Sequence, residues 1–545
     1  MRSRAVIVFA ALGAALVTGG WFLQRGLSQG ADTAVRAKLF DEVLDHVQRD
    51  YVDSIPLSAL YAKATTGMVD GLHDPYSAYL TPDRERTLTE STTGNYAGLG
   101  VHIDVRDGWI VIIAPLPGSP AATAGVQSGD RIISVNGRST EGWTLDDARG
   151  ALRGKPGTLV ELRVERPGVP TPLSFDVRRS DIHVRSVSHA LMLADGVGYV
   201  NLSIFSDSSA DELRDAIGAL RRRGATTLLL DLRSNPGGLL EQGVNVAGLF
   251  LDPGQRIVSM RGRAFGTTHD FTDETRELWP ELSLIALVDG HTASAAEIVA
   301  GALQDHDRAM IIGSTTYGKG VAQSVYPLAS GSGALKLTTA RWLTPSGRSI
   351  QKPRADTADD DDADAPDSTG ELPLSSRRAY HTDDGRTVYG GGGITPDLIV
   401  ASGDSASGLL AFWRLLGPDI PRFRDALTEE ALALKAAHQP ASPEFVVTPA
   451  MREALWHRMR TKGVSLDRAR FDASRVQVDR LLGDETTRFG FGSDAAFRRR
   501  AAQDRVIQEA LALARGAHGE RDLLMRAAAR RAAKREDVPP TPATP

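Results

Sequence analysis

The sequence predicts an α/β core flanked by helical segments at both ends and preceded by a region of short strands and turns. Between Val197 and Leu303, short apolar runs alternate with helix-like stretches, the pattern of strands feeding helices. Gly94 to Val177 carries short strand-like runs broken by glycine-rich turns. Leu409 to Pro545 carries long helical patterns.

The 545 residues suggest three or four domains, and a hydrophobic content of 41% is sufficient for ordinary cores. A net charge of −5 gives no reason to expect nucleic acid as a partner. The absence of cysteine excludes disulfides, thiolate metal sites and cysteine nucleophiles, but does not choose a compartment. No His-Glu-x-x-His pattern occurs, so nothing supports a metalloprotease of that type, and no metal or cofactor is expected.

Taken in order, Met1-Arg-Ser-Arg4 is basic and Ala5 to Leu23 is uncharged and mostly apolar. As a helix that run spans roughly 28 Å, about one bilayer core. Residues 1–30 are therefore a signal anchor or a cleaved signal peptide, with the anchor favoured because Trp21-Phe-Leu23 prolongs the apolar run. Arg2 and Arg4 on the near side place the rest outside the cytoplasm, on the periplasmic side of an inner membrane, either anchored or secreted after cleavage. Residues 31–90 form an N-terminal helical segment, with two helices parted near Ser54-Ile-Pro56. This segment serves either a homo-oligomer contact or packing on the core. Residues 91–180 are the strand-and-turn region.

The core occupies 181–352 and 388–402. Val197 to Phe205 reads as a strand and Ser208 to Arg223 as an amphipathic helix capped by Ser208 or Ser209. Thr226 to Asp231 is a buried strand, and Leu239 to Leu251 is a helix. Leu284 to Val288 is another buried strand, closed by Asp289-Gly290, and Ala293 to Leu303 is rich in helix formers. Ser294 thus sits where a strand hands over to a helix N-terminus. Free backbone N–H groups and the helix dipole favour a developing oxyanion there, although a plain helix cap also suits the position. Downstream, Lys319 lies between two glycines. A lysine drawn out of water becomes a general base near neutral pH, and Ser–Lys is a variant of the activated serine. Gly313-x-x-x-x-Gly318-Lys319-Gly320 falls one residue short of a P-loop, because glycine stands where Ser or Thr would hold magnesium and a strand pattern follows.

Residues 353–387 hold an Asp-rich run, Asp356 to Asp367, which repels itself and buries nothing; a disordered insertion is expected. The run lacks the glycine and terminal glutamate of a calcium loop. Residues 403–545 are a helical C-terminal region, with helices expected over Leu427–Ala437, Pro449–Thr461, Ser474–Leu482, Asp494–Ala517 and Asp522–Arg535.

Thr292-Ala-Ser-Ala-Ala-Glu297, Tyr317-Gly-Lys-Gly-Val-Ala-Gln323 and Asp231-Leu-Arg-Ser-Asn-Pro-Gly-Gly238 resemble the motifs of the carboxyl-terminal processing (tail-specific) serine proteases, in the family's order. Tyr96-Ala-Gly-Leu-Gly-Val101, Ser119-Pro-Ala-Ala-Thr-Ala-Gly125 and Gly129 to Gly137 resemble a PDZ domain. The resemblance runs from about Asp32 to Ser402. It implies a crotonase-like spiral of ββα units with an inserted PDZ domain over 91–180. It further implies Ser294 as nucleophile, Lys319 as base, Gln323 as the lysine-orienting residue and, ranked below it, the acid Glu297. Gly237 or Gly238, together with the Ala295 N–H, would stabilise the oxyanion. Ala97, Gly98, Leu99, Gly100 and Val101 would receive a free C-terminus, the peptide adding as a strand. The expected partners are proteins or peptides with free C-termini. Arg153 is a candidate contact to the core. The alternatives are a non-catalytic PDZ adaptor, which needs neither Ser294 nor Lys319, and a crotonase-type acyl-CoA enzyme, which needs no PDZ loop or export signal.

Overall fold

The computed structural model describes residues 35–166, 169–328, 331–352, 377–401 and 404–536. The expected anchor at 5–23 and the Asp-rich run at 356–367 lie outside them. Among the described residues no helix is long and apolar enough to cross a membrane. The chain divides into two units, 1–83 with 323–338, and 84–322 with 339–545.

In the first unit, helices over 35–50 and Leu57–Asp70 flank the expected break at Ser54–Pro56. Pro56 has no N–H for a helix interior and stands just outside the second helix. The 35–50 helix leaves Val35, Leu39, Phe40 and Val43 exposed. Ala78–Leu80 pairs antiparallel with residues 334–336, and the Tyr79 hydroxyl donates to the Ser332 carbonyl oxygen.

In the second unit, six strands lie side by side in chain order: β1 (Val187–Ala194), β2 (Val197–Leu202), β3 (Thr227–Asp231), β4 (Ser283–Val288), β5 (Met310–Gly313) and β6 (Leu398–Ile399). β1 and β2 are antiparallel and each later pair is parallel. The connecting helices are α1 (Ser209–Arg222), α2 (Leu240–Gly248) and α3 (Ala295–Asp305). Right-handed crossovers that always step to the next strand put every connecting helix on one face. Accordingly Val200, Leu202, Leu228, Leu230, Leu284 and Ala286 pack with Leu213, Ile217, Val246, Ile298 and Val299. The alternate residues, Tyr199, Leu229, Ile285, Leu287, Met310 and Ile312, point the other way.

That second face would be left bare. It is covered by α4 (Arg505–Ala514) and α5 (Glu520–Glu536), through Ile507, Ala510, Leu511, Leu523 and Ala527. These helices are a layer of the core. The single helix expected over Asp494–Ala517 is two, Ser493–Ala501 and α4. Asp504 breaks it, because its carboxylate accepts the N–H groups of Val506 and Ile507 at 2.9 and 3.1 Å and caps a new start. Helices between 404 and 501 form a separate apolar cluster around Phe412, Phe423, Leu455, Phe471 and Leu482.

The region expected to be a PDZ domain has antiparallel strands Val101–Arg106, Trp109–Pro115, Arg131–Val135, Leu159–Glu165 and Leu173–Arg178, in that spatial order. Leu159–Glu165 strictly alternates, with Val160, Leu162 and Val164 inward. The helix Leu145–Leu152 starts on Thr144, whose hydroxyl accepts the Asp147 N–H at 3.2 Å.

Residues 377–387, expected within the disordered insertion, are ordered. Ala379–His381 pairs with Thr387–Tyr389 in a hairpin. His306 bonds Asp383 at 2.7 Å and Arg386 donates to both Asp307 and Asp397, so specific anchors on the core override the unpromising composition.

Candidate active site

β4 ends at Val288, and the turn Asp289–Thr292 delivers the chain to α3. The Thr292 hydroxyl donates to the Leu232 carbonyl oxygen at 2.9 Å, and the Ala293 N–H to the Asn235 carbonyl oxygen at 2.9 Å. Ser294 follows as the residue before α3, with φ +57° and ψ −116°. A non-glycine residue held there stores about 1–3 kcal/mol of strain, which persists only when the surroundings over-determine it. The sharp turn sets the half-buried side chain at the mouth of the helix N-terminus.

Glu297 supplies much of that determination. Its side chain is fully buried and accepts four hydrogen bonds. Oε2 takes the Ser294 N–H at 2.8 Å and the Lys319 N–H at 2.9 Å. Oε1 takes the Thr316 hydroxyl and the Gly318 N–H, both at 2.6 Å. Burial pushes the carboxyl up from its ordinary value, while the Thr316 hydroxyl and the Lys319, Gly318 and Ser294 N–H groups oppose the rise. Enclosed in this way, Glu297 holds the segments bearing Ser294 and Lys319 together and has no face open to solvent.

Lys319 follows the segment from β5 and is half-buried. The flanking glycines are required by packing. A Cβ on Gly318, at φ +88°, would come within 2.7 Å of Lys352 Cγ and 3.0 Å of the Gly393 nitrogen. The Gly320 N–H donates to Gln351 Oε1 at 2.9 Å.

Gly237 lies against the serine. A Cβ there would sit 2.7 Å from Ser294 Cβ and 2.8 Å from the Ala293 oxygen. Its N–H is taken by Asn235 Oδ1 at 2.8 Å. Of the two glycines proposed for the oxyanion, Gly238 is therefore the one with an uncommitted donor. Among the described residues, neither the Gly238 nor the Ala295 N–H has a protein acceptor.

Residues 196–359 match peptidase family S41, and residues 111–166 match the PDZ domain. The chain is 39% identical over 316 residues to the carboxy-terminal-processing protease of Bartonella bacilliformis, covering 57% of this chain and 72% of that one. The chain belongs to the carboxy-terminal processing proteases of peptidase family S41. It is also 36% identical over 312 residues to the carboxy-terminal processing protease CtpA of Bacillus subtilis, covering 57% of this chain and 66% of that one. Among solved structures, it matches a photosystem II D1 C-terminal processing protease at 30% identity and TM-score 0.34, covering 57% of this chain and 89% of that chain.

In this carboxy-terminal processing protease the PDZ groove is a cavity of about 230 Å³ lined by Gly98, Leu99, Gly100, Val101, Leu145 and Leu152, among others. Gly100, at φ +73°, admits no side chain, since a Cβ would fall 2.3 Å from Ser119 Cβ. Ala97 is not part of the lining; it is drawn into a strand pair with Asp181. Tyr96 lines the groove, and its phenol is pushed up by burial, with Arg153, Glu90 and a bond to the Val101 backbone acting beside it. The Arg153 guanidinium lies 4.9 Å from the Tyr96 ring centre and bonds Glu90.

Gln323 belongs to the first unit. It is half-buried on the strand Val321–Pro327, and its Nε2 reaches Thr338 Oγ1 at 3.4 Å, a long contact. Sequence reasoning missed Thr316 and Asn235, whose bonds reach residues distant in the sequence, Glu297 and Ile394 for Thr316 and Leu202 for Asn235. It also missed the network at the end of β3. The Tyr199 hydroxyl donates to Asp231 at 2.7 Å, and Arg233 forks onto the same carboxylate at 2.7–3.1 Å. Asp231 and Arg233 stand at the start of the Asp231–Gly238 motif, and nothing in the sequence points to their pairing with Tyr199.

Proposed function

We propose that this protease cleaves proteins near their C-terminus with Ser294 as nucleophile and Lys319 as general base. The observation that carries this is the single carboxylate oxygen of Glu297 bonded to the N–H groups of both residues. Neutral Lys319 takes the Ser294 hydroxyl proton as Oγ attacks the scissile carbonyl, then returns it to the leaving amine; water frees the acyl group by the reverse sequence. The Gly238 and Ala295 N–H groups receive the oxyanion. One such donor is worth roughly 10²–10³ in kcat. The tail docks as a strand along Val101–Ile103, with its carboxylate at the Leu99–Val101 loop and its last side chain among Leu99, Leu145 and Leu152. That lining favours an apolar terminal residue.

The enzyme works outside the cytoplasm, held by or released from the 5–23 segment, and the exposed apolar side chains on the 35–50 helix suit self-association. The test is Ser294→Ala. Cleavage should fall to background, and full cleavage by a preparation free of other proteases would remove the assignment. An adaptor would need neither the strained serine nor the cradle that holds it.

A further inference from the structure

The loop Leu232–Gly238 carries the Gly238 N–H and is held along its length: the Thr292 hydroxyl donates to the Leu232 carbonyl oxygen, Ser234 bonds Asp289, and the Asn235 and Gly237 carbonyl oxygens take the N–H groups of Ala293 and Phe205. Asn235 and Arg233 add further ties through their side chains. At its inner end, Asn235 Nδ2 donates to the Leu202 carbonyl oxygen at 2.7 Å, and Asn235 Oδ1 holds the Gly237 N–H. At its outer end stands Arg233. Nε and Nη2 are used on Asp231, leaving Nη1, which donates to Asp504 Oδ2 at 2.8 Å. The other oxygen of Asp504 caps α4. One carboxylate thus joins the start of the helix that covers the second sheet face to the loop beside Ser294. Asp504 lies far beyond residues 196–359, the stretch matched by the peptidase family.

We infer that Asp504, supplied by the C-terminal helical region, is a positioning residue for catalysis: it holds Arg233, and through it the Leu232–Gly238 loop, so that the Gly238 N–H meets the oxyanion. The C-terminal helices thereby belong to the active-site apparatus. This rests on the Ser294 and Gly238 assignments above. The ion pair is partly buried, with side-chain exposures of 21% for Arg233 and 27% for Asp504, so charge-assisted bonding outweighs what a solvated surface pair contributes. A donor displaced by a fraction of an ångström weakens transition-state binding far more than substrate binding.

Capping and bridging can be separated. Ser and Asn cap helices about as well as Asp, but serine is too short to reach Arg233 and asparagine carries no charge. In the full chain, Asp504→Ser and Asp504→Asn should lower kcat about tenfold with KM within about twofold, and weaken a peptide boronate aimed at Ser294 about tenfold. Asp504→Glu should recover part of the loss. Binding of uncleaved peptide, measured in the Ser294→Ala background, should not change. Unchanged kcat and boronate affinity would overturn the inference. So would a loss that tracks the melting temperature and takes peptide binding with it, since Asp504 would then serve the fold alone. Ser294→Ala run in parallel separates the two levels. If it still cleaves, the nucleophile assignment fails and this inference with it. If it is inactive while Asp504→Ser equals the parent, only the inference fails.

Discussion

The backbone N–H groups of Ser294 and Lys319 converge on one atom, Oε2 of Glu297, at 2.8 and 2.9 Å. Two segments on either side of β5 are thereby set against each other by a carboxylate that never meets solvent. The registration of Ser294 against Lys319 is written into backbone bonds.

Glu297→Gln tests that registration. The amide keeps one acceptor but turns an NH₂ toward donors, leaving buried N–H or O–H groups unmatched at about 1–3 kcal/mol each. Turnover should drop about a hundredfold with a lowered melting temperature, as steady-state kinetics and thermal melts would read. Wild-type kinetics in the variant would contradict the cradle's role.

The same residue predicts an acid limb in the pH profile. Burial is the larger influence and lifts the Glu297 carboxyl above its ordinary 4.5. Protonation sets an O–H against one of four donors, so kcat should fall as pH drops through a midpoint above 4.5. A limb at or below that value would show that Glu297 ionisation does not control the site.

Gly237→Ala should abolish turnover by about a hundredfold or more while the protein stays folded. The added methyl would stand 2.7 Å from Ser294 Cβ at a φ of +94°, and relief requires moving the nucleophile. Circular dichroism and kcat together read this. Full activity would mean that the loop yields freely.

Much of this was legible in the sequence, and the exceptions have physical causes. The α/β alternation and the Ser294 turn were visible because buried parallel strands are short apolar runs and the helix begins at once. The covering of the second sheet face was not visible. Nothing local in Arg505–Ala514 says which apolar surface it meets. Only the sequential strand order, which leaves a bare face, explains it. The helix break at Asp504 was available as an Asp preceding an apolar-periodic run, but a long helical period masked it. The resemblance ranks Glu297 below Gln323. The structure gives it a different part, as acceptor of the backbone N–H groups of Ser294, Gly318 and Lys319. Residues 377–387 were read with their acidic neighbours, whereas ion pairs distant in sequence hold them.

A stability prediction concerns the far end of α3. Arg348 and Asp305 are 0% and 1% exposed and bonded at 2.7 Å. Removing one partner strands a buried charge, so Asp305→Ala should lose about 3–5 kcal/mol in denaturant unfolding. A loss under about 1 kcal/mol would show that the pair is relieved by water.

The central claim is a tail-selective Ser–Lys protease, and one measurement tests it most directly. The purified chain and its Lys319→Ala variant are each incubated with an unfolded protein ending in an apolar residue, and with the same protein amidated at that end. The account predicts cleavage of the free-tailed substrate by the parent chain, little of the amidated one, and none of either by the variant. Equal cleavage of both tails would remove the PDZ domain from substrate selection, and cleavage by Lys319→Ala at the parent rate would contradict the Ser–Lys mechanism itself.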